Sequence, residues 1–183
     1  MRLLCAAATI ALLAGCREQP ASERLANQSD EAAEAANESA TATAAAPLGA
    51  PVSGDDAKKI MHDRHEGMED IGDAMKLVSR ELKGDAPDLA KVREGASTIA
   101  RLAPQVTGWF PPGTGPDVGK TEAKAEIWQK PEDFAAKREA FLKAAAAFDS
   151  AAKGSDLVAI RAAHGELGKT CKACHDLYRE KDE

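Results

Sequence analysis

SDLVAIRAAHGELGKTCKACHDLYR, residues Ser155–Arg179, decides the fold. Leu157, Ile160, Leu167, Cys171, Cys174 and Tyr178 recur at the steps of one helix face, and Ser155 stands ahead of them as an N-cap. Two thiols three residues apart share a face of such a helix, and His175 lies one turn from Cys171. That is the spacing at which a chain captures haem. Each cysteine forms a thioether to one porphyrin vinyl group, and the adjoining imidazole reaches the iron. One covalent haem c is therefore expected, with Cys171 and Cys174 as its attachment points and His175 as an axial iron ligand. A structural zinc site would need a second ligand pair, and the chain has neither another C-x-x-C nor an H-x-x-x-H. A thioredoxin-like pair would need strand-helix-strand patterning around it, and a plain disulfide leaves His175 without a role.

Working outward, the N-terminus fits an exported protein. Arg2 precedes an apolar run from Leu3 to Gly15, too short to span a bilayer and of the length of a signal core. Leu13-Ala14-Gly15-Cys16 resembles the cleavage box of a bacterial lipoprotein, which would make Cys16 the lipidated first residue and tie the chain to a membrane. The alternative is ordinary cleavage within Ala6-Ala7-Ala8, releasing a periplasmic protein. Cys5 lies inside the removed segment either way, so with Cys16 lipidated only the haem pair remains of four cysteines. Residues 1–15 are thus read as a signal peptide of lipoprotein type. Residues 16–54, rich in Ala, Glu and Ser, are read as a flexible tether, too poor in large apolar side chains to offset the entropy of ordering.

Residues 55–183 are sized for one domain, and the periodicity predicts four helices. The first, about Asp55 to Lys83, carries Met61, Met68, Met75 and Leu82 at sevenfold spacing, with Ile71 and Val78 filling the seam. A second begins at Pro87 and shows Leu89, Val92, Ala96, Ile99 and Ala103 before Pro104. The third starts at Pro131 and aligns Phe134, Phe141 and Phe148, ending near Gly154; the fourth is the haem helix. No alternating strand pattern appears. Short links join helices one to two and three to four, and a long Gly/Pro loop, Gln105 to about Ala125, joins two to three. The fold class expected is all-α, an antiparallel four-helix bundle with the haem near the C-terminus.

Three segments carry a family resemblance: Gly108-Trp109-Phe110-Pro111-Pro112-Gly113-Thr114-Gly115, Glu126-Ile127-Trp128, and Gly168 through Arg179. Together they resemble cytochrome c′, class II of the c-type cytochromes, over roughly Ile60 to Lys181. The resemblance implies a four-helix bundle, His175 as proximal ligand, Arg179 beside the proximal face and often a homodimer. Arg64 sits on the apolar seam of the first helix, where a charge is costly unless paired; it resembles the family's contact to a haem propionate, the alternative being a stem that snorkels to solvent. Met68 stands where the family places its distal residue.

Two functions follow from Met68. If its sulfur binds iron opposite His175, the haem is six-coordinate and suited to electron transfer with a periplasmic redox partner. If Met68 only packs above the iron, a five-coordinate ferrous haem is open to NO or CO. A peroxidase-like catalyst is disfavoured, because His65 and Glu66, the polar groups nearest Met68, lie off the apolar seam; no catalytic residue and no enzymatic activity is expected. The remaining histidines read as structural: His164 near the core, His62 and His65 in solvent. Trp109 and Trp128 read as anchors for the long loop. The net charge of −6 argues against nucleic acid. Lys169, Lys172, Arg179 and Lys181 around the haem helix read either as a dock for an acidic partner or as a solvated helix end.

Overall fold

The structure is a computed structural model and describes residues 48–181; the expected signal segment, Cys16 and most of the expected tether lie outside the described residues. The chain forms α1 (Gly54–Lys83), α2 (Leu89–Leu102), a 3-10 turn (Ala103–Gly108), the short α3 (Glu126–Gln129), α4 (Pro131–Ala152) and α5 (Leu157–Tyr178). Among the described residues no strand forms, apart from an isolated antiparallel bridge between Ala123 and Arg179.

α1 has Asp55 and Asp56 in its first turn and Arg80 and Lys83 in its last, matching the helix dipole at both ends. Its most deeply buried row is Ala57, Arg64, Ile71 and Val78, flanked by Gly67, Ala74 and Leu82. Met61, Met68 and Met75, expected at the centre of the seam, are half-buried along its edge. Small residues occupy the centre because they let α2 come close, and the long thioethers fill the margin.

Two caps differ from expectation. α2 starts at Leu89 rather than Pro87, because Asp88 Oδ1 accepts hydrogen bonds from the Ala90 and Lys91 amides at 2.9 and 3.4 Å. α5 is capped by Asp156, not Ser155: Asp156 Oδ1 takes the Val158 and Ala159 amides at 2.9 and 3.2 Å. A carboxylate here satisfies orphan donors and faces the positive helix end as well. Beyond α2, Pro104 does not stop the turn. It sits in the first turn of the 3-10 segment, where its missing N–H costs nothing.

α1 packs on α2, α2 on α4, and α4 on α5, giving the four-helix bundle. Its interior holds Val78, Val92, Ala96, Ile99, Phe134, Phe148, Ile160 and Leu167, all essentially inaccessible, while Phe141, predicted on the same stripe, is half-buried. The backbones of α1 and α5 do not reach the closeness of the other three pairs. The last residues assigned to the tether dock rather than hang free. Leu48 is buried in the core, and the Val52 amide donates to Pro112 O at 2.9 Å. Gly113 makes that contact feasible: its φ is +91°, and a Cβ there would lie 2.1 Å from Val52 O. One leucine and one strand-like amide with partners suffice to order residues that composition alone reads as polar spacer.

The tryptophans anchor the long loop as expected. Trp109 is buried with its ring against Gly67 of α1, and Trp128 Nε1 donates to Phe110 O and Pro111 O at 3.2 and 3.1 Å.

Candidate functional site

Cys171 and Cys174 both turn their thiols toward the bundle, half-buried against the core cluster and not joined to each other. Burial pushes both thiols up, Cys174 to about 11. At neutral pH both are therefore thiols. His175 follows on the open side of α5. Its pKa is lowered, first by desolvation of the ring and then by the Arg179 cation, which favours the neutral imidazole that iron ligation requires.

The end of α5 is held by several contacts that fix this turn. Tyr178 is buried, donates its hydroxyl to Asp133 Oδ2, and meets the Phe134 ring edge-on at 5.3 Å. Burial, then that hydrogen bond, raises its pKa well above the ordinary phenol value. The Lys124 amide donates to Tyr178 O at 2.9 Å, and Arg179 Nε donates to Glu122 Oε2 at 2.9 Å. The same loop therefore braces both the distal helix α1 and the attachment turn.

Arg64 is 4 % exposed, so it does not snorkel to solvent. Its Nη1 donates to Trp109 O (3.1 Å) and Thr114 Oγ1 (3.3 Å), its Nη2 to Thr114 O (3.0 Å) and Thr121 Oγ1 (2.8 Å). The guanidinium also lies 5.0 Å from the Phe110 ring centroid. Every one of these partners is neutral, and burial lowers its pKa to about 10, leaving it cationic at neutral pH. Sequence reasoning singled out Arg64 but not Thr114 and Thr121, which have no local signal because they lie about fifty residues away in the loop. A second cation missed from the sequence is Arg138 on α4, with side-chain exposure of 1 % and Nη2 3.8 Å from Glu139.

α1 and α5 face each other with matching stripes. On α1, Met68, Gly72, Met75 and Ser79 fall at steps of four, three and four residues and are all half-buried. On α5, His164, Gly168, Cys171 and His175 repeat those steps. Ser79 Oγ and His164 Nε2 meet at 3.1 Å, and counting eleven residues from each along antiparallel helices brings Met68 level with His175. A Cβ built on Gly72 or Gly168 would meet no atom within 4 Å. Thiols beside an imidazole, a methionine at the same height, room at both glycines and a buried cation with no anionic partner among the described residues together fit a flat dianionic macrocycle between α1 and α5. His62 and His65 lie away from this stripe, exposed and paired with Glu66 and Glu69 at 4.0 and 3.6 Å.

The basic cluster does not stand as a free positive patch. Lys169 pairs with Glu166 at 2.6 Å, Lys172 with Asp176 at 2.7 Å and Arg179 with Glu122 at 2.9 Å. These exposed pairs neutralise most of the charge that a dock for an acidic partner would need.

A four-helix bundle whose last helix carries C-x-x-C-H, with both cysteines packed against its core, defines a c-type cytochrome. The family model described as cytochrome c′ matches residues 59–179, and the chain belongs to that family, which binds haem c covalently. A cytochrome c′ from Pararhodospirillum photometricum is 37% identical over 117 residues, covering 64% of this chain and 93% of the relative. Cytochrome c-554 from Cereibacter sphaeroides is 34% identical over 143 residues, 72% of this chain and 90% of the relative. Among solved structures, a nitric oxide complex of a cytochrome c prime variant from Alcaligenes xylosoxidans superposes with a TM-score of 0.62 at 30% identity, covering 69% of this chain and 97% of that one.

Proposed function

We propose that this chain carries single electrons in the bacterial cell envelope, with His175 and Met68 as the two axial ligands of one haem c. The observation that carries the reading is the α1/α5 register, which brings the Met68 level to that of His175. Haem c supplies an iron that takes up and releases one electron. The residues do the rest. Cys171 and Cys174 would attach the group, and His175 offers a neutral imidazole. Arg64, already buried and cationic, would receive a propionate carboxylate as the anion its site lacks. Arg179, whose charge acts on the His175 ring, would hold the proximal side polar. With haem bound, the Met68 thioether would raise the potential and would leave small molecules no open position on the iron. The partner is another redox protein of the periplasm, and the chain works as a carrier without substrate turnover. Cys16 would bear the lipid that keeps it at a membrane; no described helix is long and apolar enough to cross one.

The second reading, binding of NO or CO at a five-coordinate iron, is supported by the nitric oxide complex of the Alcaligenes xylosoxidans relative. One experiment separates the two: the ferric absorption and magnetic-resonance signature of the haem-loaded protein, followed by CO addition to the reduced form. Methionine-ligated low-spin iron and an unchanged reduced spectrum are expected. A high-spin ferric spectrum with prompt CO binding would replace the electron-carrier reading with the gas-binding one.

A further inference from the structure

Ser79 and His164 tie together the two helices that the bundle otherwise holds apart. Their side chains meet at 3.1 Å, and one turn beyond, the Arg161 guanidinium donates to Gly84 O at 2.9 Å. Both links lie at the same end of the α1/α5 pair. At the other end stand Met68 and His175, eleven residues from the Ser79–His164 link on each helix. That is about 16 Å at the helical rise. α1 and α5 are each unbroken helices across this span, so a contact that locks one level also constrains the relative height and spacing of the other.

His164 is suited to this and little else. Its ring is half-buried and packs edge-on against Phe148 of α4, with centroids 5.6 Å apart. An imidazole in such surroundings needs a hydrogen-bond partner, and the one it finds is on the opposite helix. A purely apolar ring could fill the same volume without choosing a register. The hydrogen bond chooses one.

We propose that Ser79 and His164 form a positioning pair for the axial site: by locking the height and spacing of α1 against α5, they hold the Met68 sulfur at the iron that His175 binds. This rests on the reading of Met68 as the sixth ligand. Neither residue touches the reacting atoms in this scheme. Each acts through the helix that carries it, and the effect is read at iron rather than in overall stability.

The test uses the full haem-loaded chain and three variants: Ser79→Ala, His164→Phe, which keeps the ring contact with Phe148 and removes the hydrogen bond, and His164→Gln, which keeps a polar group within reach of Ser79. Ferric spin state and the rate of CO binding to the reduced form are measured, with helical circular dichroism to confirm a folded bundle. Ser79→Ala and His164→Phe are expected to lower the ratio of six- to five-coordinate iron by about fivefold, the equilibrium factor that one neutral hydrogen bond carries, and to speed CO binding by a similar factor. His164→Gln is expected to restore most of both. If wild type is methionine-ligated and all three variants keep its spin state and CO rate, the positioning role is overturned while the electron-carrier reading stands. If wild type is five-coordinate, the electron-carrier reading and the positioning role fall together, because no Met68 sulfur is then held at the iron.

Discussion

Gly67→Ala and Gly165→Ala make the same chemical change in the middle of two helices and should have opposite effects on stability. Each replacement raises helix propensity, worth about 0.5–1 kcal/mol through the unfolded chain. At Gly165 nothing lies within 4 Å of the new Cβ, so the gain is realised. At Gly67 the Cβ would fall 2.2 Å from Trp109 Cη2 and 2.4 Å from Trp109 Cζ2. Restoring van der Waals contact means moving a rigid indole by more than an ångström. Trp109 is buried, and its carbonyl accepts from Arg64, so it cannot slide freely. Overpacking of this kind costs about 1–3 kcal/mol, which exceeds the propensity gain. The expected result is Gly67→Ala destabilised by about 1–2 kcal/mol and Gly165→Ala stabilised by about 0.5–1 kcal/mol. Urea unfolding of the haem-loaded proteins, with equal m-values, measures both. A Gly67→Ala protein as stable as Gly165→Ala would mean that Trp109 does not pack on α1, and the account of how the loop is anchored would fail. Pairing Gly67→Ala with Trp109→Ala should relieve the clash, so the two changes together cost less than their sum.

Three further outcomes follow from named contacts. Arg64→Met removes the donors for Trp109 O, Thr114 O, Thr114 Oγ1 and Thr121 Oγ1, and should cost about 3 kcal/mol in denaturant unfolding, because buried acceptors are left behind; a loss below about 1 kcal/mol would show that the loop does not depend on it. Asp156→Ala should cost about 1 kcal/mol through the lost cap while Ser155→Ala changes little, and equal losses would contradict the capping geometry. The pH dependence centres on His164, whose pKa burial lowers from 6.5, with uncharged Ser79 and Phe148 facing the ring. The folded state therefore binds fewer protons there than the unfolded one. Its contribution is fully present above pH 6.5 and is lost as pH falls through the lowered value. The difference in stability between wild type and His164→Phe should accordingly shrink or reverse on acidification, and a pH-independent difference would refute the assignment.

The attachment turn was readable from the sequence because its chemistry is local: two thiols and an imidazole within five residues need only a helix beneath them, and the periodicity of Leu157, Ile160 and Leu167 supplies it. Unlike the short α3 and the 3-10 turn, the four long helices and their order were readable for the same reason. Phase was less so. Periodicity weights large apolar side chains, which drew the seam through the methionines. The buried row keeps Ile71 and Val78 but runs through Ala57 and Arg64 in place of the methionines, and the small residues Gly67 and Ala74 beside it permit contact between helices. The adjoining candidates Ser155 and Asp156 could not be told apart by type, since both cap helices well; the choice is made by the turn at which Ile160 and Leu167 must point inward. Pairing between distant segments left no trace in sequence at all. Arg64 announces a need for partners, yet which oxygens meet it depends on how a loop some fifty residues later folds back over α1. Half of the apparent basic patch could have been discounted beforehand, because Lys169–Glu166 and Lys172–Asp176 lie at helical spacing. Arg179–Glu122 could not. The site thus divides by reach: what one helical turn can build is written in order along the chain, whereas the loop that braces α1 and the α5 terminus together is a product of the packed bundle.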